Sequence, residues 1–159
     1  KGWMIGTKNF YFEPNKPLTR AQAATLLVRV LDLKETSDNL PHFRDVPSNH
    51  WAKTDIEITA LHGLMNGQGN QRFSPDEFLT REEMATLLSR LLQISPSEGK
   101  INNPFKDIAP TQWSYPFIVT MAEEKIFEGF EDHTFRPKEQ VTRAQMAALL
   151  DRIKGKLTK

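Results

Sequence analysis

The same short patterns return along this chain at a fixed step. Thr19-Arg20, Thr80-Arg81 and Thr142-Arg143 stand 61 and then 62 residues apart, and Phe12-x-Pro14, Phe73-x-Pro75 and Phe135-x-Pro137 keep that step. So do Gly6, Gly67 and Gly129. Upstream of these, FRDVPSNHWA (43–52) matches FKDIAPTQWS (105–114), aligning Phe43 with Phe105, Asp45 with Asp107 and Trp51 with Trp113. A period of this length, kept by so many positions, confines the chain to copies of one small supersecondary unit. Complete units span 43–94 and 105–154. The first, at 1–34, has only its back part: it begins at about its Gly turn and lacks a Phe-x-Asp or Trp segment. The pattern therefore predicts a chain truncated or cleaved from something longer, folded as one compact set of repeats.

Composition narrows what such an array can do. Lys and Arg (21) nearly cancel Asp and Glu (20), so no global field draws the chain to nucleic acid or to an anionic membrane. A charged partner must be read by local sites. There is no Cys, which removes disulfides, thiol catalysis and thiolate metal sites. No apolar run approaches the roughly 20 residues of a membrane span, and KGWMIGTKNF lacks the apolar stretch of a signal peptide.

Within a unit the pattern reads helix, loop, helix, so the fold class is all-α. Trp51, Ile56, Ala60 and Leu64 fall at helical spacing over about 51–65, and Trp113, Phe117, Ile118, Met121, Ala122 and Ile126 do so in the matching segment. Pro116 fits only a first turn. Gly67 and Gly129 are expected as left-handed residues closing these helices. A turn-rich loop around one buried Phe follows. The second helix then carries a single apolar stripe: Met84, Leu87, Leu88, Leu91 and Leu92, with equivalents in the other two copies.

The Thr-Arg pair sits where that second helix starts. Each Thr is an N-cap, and Gln22, Glu83 and Gln145 three residues later complete a capping box, with Leu18, Leu79 and Val141 as staples onto Ala23, Met84 and Met146. Capping does not explain Arg20, Arg81 and Arg143. At the first helical position a cation faces the positive end of the macrodipole, at a cost of roughly 0.3–1 kcal/mol when exposed. Two readings follow. Free helix N–H groups and a guanidinium together make an anion site; alternatively the Arg pairs with an acid of its own protein, such as Asp45 or Asp107, and locks neighbouring units together.

The other candidates also have two readings each. Trp51 and Trp113 can stack on a sugar face or fill the core. Asp45 and Asp107 can accept ligand hydroxyls or act as turn acids. Arg29, Arg90 and Arg152 lie near helix C-termini, where the dipole favours them. His42, His50, His62 and His133 lack metal-ligand spacing, the Gly-bearing loops lack the Lys of a phosphate loop, and no Ser/His/Asp arrangement recurs. No catalytic group, metal or cofactor is therefore expected.

A unit reading Phe-x-Asp-Val/Ile, Trp, amphipathic helix, Gly, Phe-x-Pro and Leu/Val-Thr-Arg-x-Gln/Glu resembles the S-layer homology domain. The resemblance covers nearly all of the chain outside the linkers KETSDNLPH and SPSEGKINNP. It implies three tandem repeats in a pseudo-threefold arrangement around a central helical bundle, with grooves between lobes. It also implies an extracellular, non-enzymatic module at the bacterial cell surface, holding a longer parent protein to secondary cell-wall polysaccharide through a pyruvylated N-acetylmannosamine-type sugar. On that resemblance Arg20, Arg81 and Arg143 bind the ligand, with Asp45, Trp51, Asp107 and Trp113 beside them. TRAQ at 19–22 and 142–145 replaces the family's acid with Gln, which keeps the capping box, and the short first unit leaves one groove incomplete. The alternative is a protein-interaction array with the Arg residues as internal locks.

Overall fold

The computed structural model describes residues 13–96 and 102–157. Gly6 and Phe12 of the first copy lie outside them. Five helices follow in order: α1 (Arg20–Leu31), α2 (Lys53–Leu61), α3 (Arg81–Leu91), α4 (Tyr115–Glu123) and α5 (Arg143–Leu157). No strand occurs among the described residues; isolated bridges join Thr19 to Phe78 and Thr80 to Gln140. The fold is all-α.

The chain divides into two compact units, Lys1–Leu79 and Thr80–Lys159. The division falls inside the 43–94 repeat, just before a Thr-Arg pair. In the first unit α1 packs on α2, and in the second α3 packs on α4. α1 thus lies against the helix that follows Trp51, and α3 against the helix that follows Trp113, each the Trp of the next repeat. The α3–α4 contact contains a buried acid: Glu82, 3% exposed, accepts from the Ser114 hydroxyl at 2.7 Å and from the Lys138 ammonium.

Helix starts follow the sequence closely. Thr19 and Thr80 make full capping boxes with Gln22 and Glu83. At α5 the Thr142 hydroxyl accepts from the Gln145 N–H, and the Gln145 amide oxygen accepts from the Thr142 N–H. Leu18, Leu79 and Val141 are buried together with Ala23, Met84 and Met146.

Helix ends depart from the expectation. α2 and α4 stop before the predicted 65 and its counterpart, and the left-handed residues that close them are Gly63 (φ 67°) and Lys125 (φ 56°). Leu64 N–H bonds the Thr59 carbonyl and Ile126 N–H bonds that of Met121, the long closing bond of a Schellman motif. Gly67 and Gly129 have a different reason to be glycine: space. A Cβ on Gly67 would come within 2.7 Å of the Arg72 carbonyl oxygen and 3.0 Å of the Phe43 ring; on Gly129 it would meet the Phe105 ring at 2.3 Å and the Thr134 carbonyl at 2.5 Å. The Phe of each Phe-x-Asp motif therefore lies over the Gly of the same repeat. We expect Gly129→Ala to destabilise the second unit by about 1–3 kcal/mol, the ordinary cost of overpacking, measured by urea denaturation. An unchanged midpoint would contradict the packing described here.

The same Phe side chains tie the front of a repeat to its loop. Phe43 meets Phe73 at 5.3 Å and 53°, and Phe105 meets Phe135 at 5.3 Å and 52°. Phe73 and Phe135 are fully buried. Between Phe and Pro of each loop stand Ser74 and Arg136, both left-handed at φ 58°, and Glu13 in the first copy is left-handed too. Such a conformation costs a non-glycine residue about 1–2 kcal/mol, so something must hold it. In the two complete repeats that role falls to the Asp described below.

α2 carries a buried carboxylate of its own. Glu57 is 3% exposed and accepts from Lys53 Nζ at 2.6 Å and pairs with His42 Nδ1 at 2.7 Å. Burial pushes its carboxyl up, but the hydrogen bonds and charges of Lys53 and His42 outweigh burial and leave it below the ordinary value. A carboxyl lowered by folding adds stability that is present above its unfolded pKa and lost as the pH falls through the folded one. Stability is expected to hold from neutrality to about pH 5 and to decline through about pH 4 and below. In Glu57→Gln the decline should be shallower; circular dichroism across an acid titration reads the difference, and superimposable curves would contradict it.

Candidate functional site

At α1 and α3 the N–H groups expected to face an anion are already engaged. Arg20 N–H donates to the Glu77 carbonyl at 2.8 Å and Ala21 N–H to that of Pro75 at 3.0 Å. Gln22 and Ala23 donate to the hydroxyl and carbonyl of Thr19. At α3 the acceptors are the carbonyls of Glu139 and Pro137, then Thr80 twice. Carbonyls of the next repeat's Phe-x-Pro loop thus cap the dipole that would otherwise have favoured an acid here.

The guanidinium groups have an equally definite place. Arg20 and Arg81 are 4% and 3% exposed. Arg20 Nε donates to the Phe73 carbonyl at 2.8 Å and Nη2 to that of Asn66 at 2.9 Å. Arg81 repeats this on Phe135 at 2.7 Å and Glu128 at 3.0 Å. The acceptors are carbonyls at the Gly turn and at the Phe-x-Pro loop, 46 to 54 residues away. The hydrogen bonds of Arg81 go to no carboxylate. Its cation lies 4.5–4.8 Å from the ring centres of Phe127, Phe130 and Phe135, and that of Arg20 lies 4.7 Å from Phe73. Burial lowers the Arg81 pKa to about 10, against the opposing pull of Glu139, so the group remains a cation at neutral pH. Nε and Nη2 being used, its Nη1 edge is left to another acceptor. Arg143 is 8% exposed at the start of α5.

Asp45 and Asp107 hold the left-handed loop residues. Asp45 accepts from the N–H groups of Phe73 (2.8 Å) and Ser74 (2.7 Å), one on each carboxylate oxygen. Asp107 does the same for Phe135 and Arg136, both at 2.8 Å. Burial pushes the Asp45 carboxyl up, but the amide bonds, with a smaller contribution from Arg72, leave it below its ordinary value. The recurrence of Phe-x-Asp with Phe-x-Pro at one step is thereby explained: one motif clasps the other. A depression of about 250 Å³ opens beside Asp45, lined also by Arg44, Asn70 and Arg72.

The two Trp residues leave the core altogether. Trp51 is 64% and Trp113 56% exposed, each just ahead of its helix; helical spacing had allowed either a core or a surface place. Phe78, 42% exposed, joins them as an exposed large apolar side chain. Single exposed apolar residues are ordinary, but the same indole exposed at the same register of two repeats is a repeated surface feature. Trp51 is backed by His50, with ring centres 5.7 Å apart and 26° between planes. His50, Phe127 and Phe130 were not singled out by sequence as parts of these arrangements; the available signals were the HW pair and the close spacing FEGF.

Among the described residues no group of three or more acidic or His side chains could hold a metal ion. No described helix is long and apolar enough to cross a membrane.

Comparison with known proteins agrees with this layout. The model of the S-layer homology domain matches residues 1–24, 42–85 and 104–147. A cellulosome-anchoring protein of Acetivibrio thermocellus is 31% identical over 150 residues, covering 89% of this chain and 33% of that protein. An S-layer protein of Bacillus thuringiensis subsp. finitimus is 31% identical over 94% of this chain and 18% of its own length. An exoglucanase of Acetivibrio thermocellus is 29% identical over 91% of this chain and 14% of its own. The chain thus spans a third or less of these relatives.

Proposed function

The chain belongs to the S-layer homology domain family, and from that membership we propose that it is a non-enzymatic module anchoring a longer protein, without covalent attachment, to the polysaccharide of a bacterial cell wall. The observation that carries the proposal is the repeated exposure of Trp51 and Trp113. An indole presented to solvent at equivalent points of two repeats offers a flat apolar face, and a pyranose ring binds such a face through its C–H groups. The relatives support the setting: one is named for anchoring a cellulosome, another for the S-layer. The match to an exoglucanase covers a small share of that enzyme, in keeping with a part separate from catalysis.

The ligand we propose carries an anionic terminal sugar, of the pyruvylated N-acetylmannosamine type. Arg81 is the cation we assign to its carboxylate, through the Nη1 edge; Arg20 and Arg143, its counterparts in the sequence of the other repeats, are the further ligand-binding cations we propose. A guanidinium already fixed by two carbonyls loses little freedom when it takes a third acceptor. Asp45 and Asp107 keep the adjoining loop in shape, and we assign their remaining lone pairs to sugar hydroxyls.

Co-sedimentation with cell-wall sacculi tests the proposal. The purified chain should pellet with walls that retain their secondary polymer and stay in the supernatant with walls stripped of it. Equal retention on both would overturn it in favour of a protein-interaction array.

A further inference from the structure

We infer that His50 is a positioning residue for the Trp51 face, its imidazole holding the indole in the orientation that receives a sugar ring. The inference rests on the glycan-anchoring reading above. Trp51 is mostly exposed yet not free-standing, since the His50 ring stacks on it. His50 is in turn fixed by the backbone. Its N–H donates to the Pro47 carbonyl at 2.9 Å, its own carbonyl accepts from Lys53 N–H at 3.0 Å, and its Nδ1 accepts from Ala52 N–H at 3.1 Å. That last bond sets the plane of the ring and places its proton on Nε2. A binding side chain that is held before the ligand arrives gives up less rotamer freedom on binding.

The other complete repeat lacks this support. The residue matching His50 is Gln112, whose side-chain oxygen accepts from Ala109 N–H at 2.6 Å and closes a turn instead. No aromatic ring stacks on Trp113 among the described residues. The two indole faces are therefore unequal: the Trp51 face is pre-organised, the Trp113 face is not, and the Trp51 face binds the polymer more tightly.

A mutant cycle on polymer-bearing sacculi tests this. His50→Asn retains a short acceptor for the Ala52 N–H but removes the ring, whereas His50→Phe retains a ring and removes the acceptor. His50→Asn should weaken binding about three- to tenfold, the size of one aromatic pair, and have no effect once Trp51 is already Ala. Equal losses with and without Trp51, or no loss at all, overturn the inference. A second readout is independent of ligand. In a chain with Trp3→Phe and Trp113→Phe, the fluorescence anisotropy decay of Trp51 should show faster local rotation in His50→Asn, restored in His50→Phe. Unchanged rotation overturns the positioning role. Failure of the unsubstituted chain to bind any sacculi instead removes the anchoring reading and the sugar-binding role with it, while the decay still decides whether His50 holds the indole.

Discussion

Arg81→Ala is expected to lower the unfolding free energy by about 3–5 kcal/mol. Two carbonyls, of Phe135 and Glu128, lose a charged donor, and each such bond contributes about 1.5–3 kcal/mol. The Phe127, Phe130 and Phe135 rings lose the cation between them, worth about 0.5–2 kcal/mol where it is desolvated. Against this stands relief from burying a charge, which the lowered pKa of Arg81 records and which keeps the net below the sum. Arg81→Lys keeps the charge but cannot span both carbonyls, so an intermediate loss is expected. Urea denaturation followed by circular dichroism measures all three proteins. A residue serving the ligand alone would give Arg81→Ala a wild-type midpoint and a loss of wall binding only, and that outcome would remove the lock described here.

Trp51→Ala with Trp113→Ala should do the reverse, abolishing retention on sacculi while leaving the unfolding midpoint in place. Both indoles are more than half exposed, so their removal opens no cavity. A central aromatic anchor is worth about 2 kcal/mol or more in binding, or about thirtyfold at the Trp51 face, with a smaller factor at the less organised Trp113 face. Each single variant should therefore weaken retention and the pair should eliminate it. Full retention by a folded double variant would remove the indoles from the site.

The difference between these two predictions shows where sequence was informative. Helix starts were legible because capping is local: Thr80 and Glu83 are three residues apart and satisfy each other. The Phe residues of the Phe-x-Pro loops were legible as core because a large aromatic between turn formers has few other places to go. The destination of Arg81 was not legible. Its acceptors are backbone carbonyls 47 and 54 residues away, and a carbonyl has no side-chain signature. From sequence alone a carboxylate or an anion is therefore the expected partner of this Arg. Gly129 illustrates a related gap. A glycine after a helix suggests a left-handed cap, but Lys125 takes that conformation and Gly129 makes room for Phe105. Trp51 and Trp113 were ambiguous for a third reason, since an indole at helical spacing suits a core and a surface platform equally. What decided it was that α2 and α4 begin two residues after each Trp, which leaves the indoles ahead of the helices and outside their apolar faces.

The Thr19-Arg20 and Thr80-Arg81 pairs thus combine a helix start with an anchor for the loop of the next repeat. The proposed ligand adds an anion at the remaining edge of that anchor.

Calorimetric titration of the chain with isolated secondary polymer, before and after removal of its pyruvate, tests that claim most directly. At least a tenfold loss of affinity is expected once the carboxylate is gone. An affinity that does not change on losing the pyruvate would contradict it.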